Sequence, residues 1–114
     1  MPVVRRLERK NLAMRYLGGI RGAGTVRCGN EILARADYDL DGYLVKPGEV
    51  TGSGEIRVAP EALRRMFGRR DLKLQTEDGR CFGLRFSEKK LSVAGDAAHV
   101  DITDGLPAAS EWRN

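Results

Sequence analysis

The chain has 114 residues, 41% of them hydrophobic and 32% charged, with a formal net charge of +4 and a sequence pI near 9.4. That length fits a single domain, and no apolar run approaches the ~20 residues needed to cross a bilayer, so a soluble protein without membrane contact is expected. The opening Met-Pro-Val-Val-Arg-Arg lacks the apolar stretch and small-residue cleavage site of a secretory signal, which predicts a cytoplasmic chain whose Cys28 and Cys81 stay reduced.

Residues 1–10 read as a flexible basic arm or a short helix, and Leu12, Met14 and Tyr16 then alternate as a strand would. The most informative feature follows. Gly22-Ala23-Gly24-Thr25-Val26-Arg27 returns later as Gly52-Ser53-Gly54-Glu55-Ile56-Arg57, with Ile20 and Val50 each two places ahead of the first glycine. Glycine inside a strand marks a bulge, a barrel corner or a close approach of another backbone. The repeat therefore predicts a sheet curling around a small core. It does not predict a phosphate cradle, because neither copy continues into Gly-x-Gly-x-x-Gly or a Walker-type lysine.

Cys28-Gly29-Asn30 separates two alternating runs, and a three-residue loop with Asn30 left-handed would pair Val26 with Ile32, Gly24 with Ala34, Gly22 with Ala36 and Ile20 with Tyr38. Small residues then face small residues, leaving a lane over which a backbone or an aromatic ring can lie. Asp39-Leu40-Asp41-Gly42-Tyr43 suggests a turn, Tyr43–Val45 a short strand, and Lys46-Pro47-Gly48-Glu49 another turn.

Ala59-Pro60-Glu61 starts the one persuasive helix, near residues 60–67. Pro60 suits its first turn, Leu63, Met66 and Phe67 form its apolar face, and Gly68 can end it. The next hairpin can be registered by arithmetic. A two-residue Asp78-Gly79 turn would throw Leu72 and Leu74 onto the face opposite Phe82 and Leu84, wasting the core. A three-residue loop with Gly79 left-handed pairs Thr76 with Arg80, Leu74 with Phe82 and Leu72 with Leu84. Leu91-Ser92-Val93 and Ala98–Ile102 read as the last strands, and residues 104–114 as a frayed tail. The fold class is thus mainly β: a small curled antiparallel barrel or sandwich of about six to eight strands with one short helix, its single domain spanning residues 11–103.

Chemistry-bearing residues are sparse. His99 is the only histidine and alternates with Ala98, Val100 and Ile102, so its ring is expected on the solvent side. Cys28 and Cys81 show no Cys-x-x-Cys spacing, so no metal is expected. Asp37, Asp39, Asp41 and Gly42 resemble the start of a calcium loop, but Gly48 stands where its glutamate belongs and Glu49 misses by one place. The three acids instead read as one solvated strand face. Ser53, Ser87, Ser92, Thr76 and the two cysteines lie in no nucleophile motif, and no cofactor pattern occurs, so catalysis and cofactors are not expected.

Charge is blocked along the chain: +6 over residues 1–27, −4 over 28–56, +5 over 57–90 and −3 over 91–114. The leading expectation is a non-enzymatic binding or interaction module directed at a protein partner or forming a homo-oligomer, since mixed charge and strand edges invite pairing. The alternative is a barrel binding RNA or single-stranded DNA through Arg5, Arg6, Arg9, Lys10, Arg64, Arg65, Arg69 and Arg70. Against it, Phe67, Phe82 and Phe86 map to the core and leave few aromatic platforms for bases.

A further reading comes from resemblance. Arg5-Arg6-Leu7-Glu8-Arg9 has the Arg-x-x-x-Arg spacing that precedes the β-rich PilZ domains, which bind cyclic dinucleotides. Those domains continue with Asp or Asn, one residue, Ser, two residues and Gly. Asp37-Tyr38-Asp39-Leu40-Asp41-Gly42 is similar except that Asp39 replaces the serine, and a carboxylate there repels phosphate. The resemblance covers these two short segments and implies cyclic dinucleotide binding.

Overall fold

The computed structural model describes residues 14–46, 49–88 and 95–112. Among these residues, six strands and one helix occur in the order β1 (Arg15–Cys28), β2 (Glu31–Lys46), β3 (Glu49–Arg57), α1 (Pro60–Met66), β4 (Leu72–Thr76), β5 (Cys81–Phe86) and β6 (Ala97–Asp104), followed by a 3₁₀ turn at Ala109–Glu111. The strands form a closed barrel, β1-β2-β3-β6-β5-β4, with every neighbouring pair antiparallel. The mainly β expectation with one short helix is met, and the barrel replaces the sandwich.

Alternation fills the barrel. Val26, Tyr38, Leu40, Ile56, Leu72, Leu74, Phe82, Leu84, Val100 and Ile102 point inward, and Ala62, Leu63 and Met66 of α1 cover one end. Pro60 occupies the first turn of the helix, and Gly68, at φ +88°, takes the chain out of it. Phe67 and Phe86 are half-buried beside this core with ring centroids 5.0 Å apart.

The glycine repeat marks the corners of the barrel. A Cβ on Gly24 would strike the carbonyl oxygen of Gln75 and stand 3.1 Å from Thr76 Cα, while one on Gly54 would strike the Asp39 carbonyl and stand 2.7 Å from Leu40 Cα. At both places the neighbouring backbone occupies side-chain space, which lets the sheet bend. Rings lie over two other glycines: a Cβ on Gly22 would meet Tyr38 Oη at 2.8 Å, and one on Gly42 would enter the Trp112 indole.

The β4–β5 hairpin has the expected register, Leu72 opposite Leu84 and Leu74 opposite Phe82, with Gly79 at φ +94°. The β1–β2 hairpin departs from expectation. Gly29, at φ +60°, makes the turn and Asn30 is not left-handed; Cys28 pairs with Glu31, and a bulge between Val26 and Arg27 moves Val26 opposite Ala34. The displacement is two residues, so the buried parity survives, but Ile32 lies 70% exposed. Asp39–Tyr43 is no turn: β2 runs unbroken through it, because cross-strand Gly18 and Gly52 flank Gly42 and the Trp112 ring covers it. A second bulge between Tyr16 and Gly18 leaves Met14 and Tyr16 outside the core.

The tail also differs from expectation. Residues 105–112 fold back on the barrel, with Pro107 and Trp112 buried and Trp112 Nε1 donating to the Pro107 carbonyl at 3.2 Å. The expected arm at 1–10 and the strand at Leu91–Val93 lie outside the described residues.

Candidate functional site

With α1 over one end and Trp112 packed into the same cluster, side chains fill the interior. Among the described residues, the charged side chains lie on the outer surface. There the strand registers lay charges in cross-strand rows: Arg21 opposite Asp39, Asp39 opposite Glu55, and Glu55 opposite His99. Asp37 and Asp39 are exposed, on the side opposite Tyr38 and Leu40, as alternation required.

Most of these charges are matched. Arg21–Asp39 (3.2 Å), Arg35–Glu77 (2.8 Å), Arg57–Glu55 (3.3 Å) and Arg85–Asp101 (3.9 Å) form exposed ion pairs. Each contributes roughly 0 to 1 kcal/mol, so their effect is to neutralise the face more than to hold the fold. A shallow groove of about 340 Å³ beside them is lined by Arg35 and Arg57 but also by Asp37 and Asp96, and so favours neither sign of ligand.

The basic residues separate into groups. Arg64 and Arg65 are exposed at the end of α1, Arg70 is exposed beyond it, and none of the three has a carboxylate within 4.0 Å among the described residues. Arg69 is half-buried and pairs with Glu31 at 3.6 Å. Arg5, Arg6, Arg9 and Lys10 lie outside the described residues, so the structure assembles only the helix-end half of this group.

Ser87 Oγ and His99 Nδ1 lie 2.7 Å apart, and the His99 backbone N–H donates to Glu88 Oε1 at 2.5 Å. Nucleophilic catalysis also asks for a group orienting the imidazole and donors for a developing oxyanion. Among the described residues the second ring nitrogen has no hydrogen-bond partner, and both side chains stand open to solvent.

Cys28 and Cys81 both carry free thiols. Cys28 is buried and donates to Asp71 Oδ1 at 2.9 Å; the bond to a carboxylate, then burial, raises the thiol pKa, and the same bond lowers that of Asp71. The thiolate is the reactive form. Exposed Cys81 is thus expected to react promptly with a chromogenic disulfide reagent at neutral pH and Cys28 only on unfolding; two equally fast thiols would contradict this geometry.

The β4–β5 turn is tied by Thr76, whose Oγ1 donates to Asp78 and accepts from the Arg80 backbone N–H at 2.8 Å. The Thr76 hydroxyl holds the Asp78 carboxyl below its ordinary 3.8, as the Cys28 thiol does for Asp71. Both groups therefore protonate more readily in the unfolded chain. Their stabilisation is present above about pH 4 and is lost as pH falls through the lower native values. Urea midpoints taken from about pH 6 to about pH 2 should fall on the acid side, and the fall should be shallower in Asp78→Asn.

Two strand edges remain. β1 pairs with β4 only over Gly24–Cys28, and β3 pairs with β6 only over Ser53–Arg57. Among the described residues, Arg15–Gly22 and Glu49–Gly52 thus have a neighbouring strand, β2, on one side alone. Beside the β1 edge, Tyr16 donates to Asp41 Oδ1 at 3.0 Å and its ring centroid lies 5.6 Å from that of Tyr43. The hydrogen bond to the carboxylate, then desolvation, raises the Tyr16 pKa. Sequence reasoning missed this overhang, because the repeat showed where strands bend but not where their partners stop.

Comparison with protein-family models, with curated proteins and with solved structures gives no match. Among the described residues no helix is long and apolar enough to cross a membrane.

Proposed function

We propose that the protein is a non-enzymatic binding module that engages polypeptide chains, its own copies included. The observation that carries this reading is the overhang of β1 and β3 past their barrel partners. Among the described residues it leaves a row of backbone donors and acceptors over Arg15–Gly22, an edge that carries Arg15, Arg21 and one bulge but no proline or lysine. Such edges pair with added strands unless blunted. A filled interior and a neutralised outer face support the same reading.

The test is sedimentation velocity over a wide concentration range, with capture by tagged protein run in parallel. Wild type is compared with Gly19→Lys, which adds an edge charge where a Cβ would stand 3.4 Å from Asp41 Oδ1 and Tyr16 Oη. Association or capture that Gly19→Lys abolishes supports the proposal. A strictly monomeric protein that captures nothing the variant loses would overturn it.

Nucleic-acid binding is the second reading, favoured by Arg64, Arg65 and Arg70 standing without carboxylate partners among the described residues. It requires affinity that falls steeply with salt. Cyclic dinucleotide binding ranks below both, because Asp39 holds its carboxylate against Arg21 where the PilZ pattern has a serine.

A further inference from the structure

Gly18, Gly42 and Gly52 are cross-strand partners, so three strands present a row without side chains. Residues 106–112 of the same chain pack against Gly42 and Gly52. A Cβ on Gly42 would stand 2.5 Å from Cδ2 of the Trp112 indole, and one on Gly52 would stand 2.6 Å from Cδ1 of Ile102 and 2.8 Å from Cδ2 of Leu106. Gly42 and Gly52 are thus the floor of a groove whose occupant is Leu106–Trp112.

Three hydrogen bonds of that occupant are internal: Trp112 Nε1 donates to the Pro107 carbonyl, the Ala108 N–H to Glu111 Oε1 at 2.9 Å, and the Glu111 N–H to the Ala108 carbonyl at 2.9 Å. Among the described residues its one polar tie to the barrel is the part-exposed Arg80–Glu111 pair at 3.6 Å. Everything else that holds it is apolar contact. The segment hangs from Gly105, which at φ +82° makes the bend that follows β6.

We propose that Leu106–Trp112 is a transferable docking segment, and that the glycine-floored groove also accepts the same segment from a second copy of the chain. A segment whose hydrogen bonds are internal carries them with it, so the transferred contacts equal the native ones, and exchange costs little beyond association. This names a partner for the polypeptide-directed reading and rests on it.

The test uses the full chain carrying Trp112→Ala as receptor and the free peptide Leu106–Trp112 as probe. Trp112 is the only tryptophan, so all indole emission then comes from the peptide. The expected result is a saturable blue shift, more than half complete at about 1 mM peptide, with amide shifts at Gly18, Gly42 and Gly52. Adding Gly42→Ala to the receptor should weaken binding at least about tenfold, since its Cβ takes the indole's place. Trp112→Leu is a second receptor should the alanine variant not fold, as judged by amide dispersion.

No saturable shift with a folded receptor overturns the inference, and so does failure of both receptors to fold, which would make the segment integral to the core. If the peptide fails while Gly19→Lys still abolishes association, the docking segment alone is wrong. If the peptide binds a receptor whose wild type is strictly monomeric and captures nothing, the groove holds only its own segment, and both the exchange and the wider reading fall.

Discussion

Gly54→Ala is expected to lose about 2 to 3 kcal/mol of unfolding free energy, an unusual result for adding one methyl group to a strand. The added carbon has nowhere to go. It points at the Asp39 carbonyl and at Leu40 Cα, which stands 2.7 Å from its position, and a backbone cannot rotate aside as a side chain can. Relief requires β2 and β3 to separate where the barrel turns. Gly24→Ala should behave alike against Gln75 and Thr76, whereas Gly19→Ala, whose nearest neighbours stand 3.4 Å away, should stay within about 0.5 kcal/mol of wild type. Urea denaturation of the three variants checks this. Equal midpoints for Gly54→Ala and Gly19→Ala would show that the repeat does not mark corners.

Trp112→Ala is the second large effect, expected at about 3 kcal/mol. The indole is 6% exposed, belongs to the same cluster as Leu40 and Ile102, and lies on a glycine whose missing side chain it replaces. Its removal opens the groove over Gly42 and takes the anchor from residues 106–111. The wild type should show blue-shifted emission from its single tryptophan that moves red on unfolding, together with the global transition. A loss below about 1 kcal/mol, or an early separate red shift, would show that the tail merely rests on the surface.

Much of the architecture was legible where local chemistry determines it. Gly79 had to be left-handed for Leu74 to face Phe82, so one parity argument set the β4–β5 register. Pro60, Leu63, Met66 and Gly68 marked the helix, and the doubled Gly-x-Gly marked close backbone approach. The misses arose where the determinant was distant. The bulge between Val26 and Arg27 shifts the β1–β2 partners by two without changing which side is buried, so the hydrophobic pattern could not reveal it. Asp41-Gly42 reads locally as a turn; it stays extended because Trp112, seventy places on, covers it. The same contact hid the ordered tail, since Leu106–Trp112 shows neither strand nor helix period.

The candidate surface was less legible. The arginines of the helix end were visible as a cluster, yet Arg69 turns out to be tied to Glu31 while Arg64, Arg65 and Arg70 keep to solvent. Ionic matching across strands depends on register, so the pairing of Arg21 with Asp39 and of Arg85 with Asp101 could not be read from charge counts. The free edges depend on strand length mismatch between β1 and β4, which only the closed barrel exposes.

The most direct test of the polypeptide-directed account is the amide NMR spectrum of the labelled protein, recorded at rising protein concentration and again with short mixed RNA and DNA at low and high salt. The account predicts concentration-dependent shifts over Arg15–Gly22 and none from the oligonucleotides. Salt-sensitive oligonucleotide shifts confined to residues 64–70, with the β1 edge unchanged at every concentration, would contradict it and assign the surface to nucleic acid.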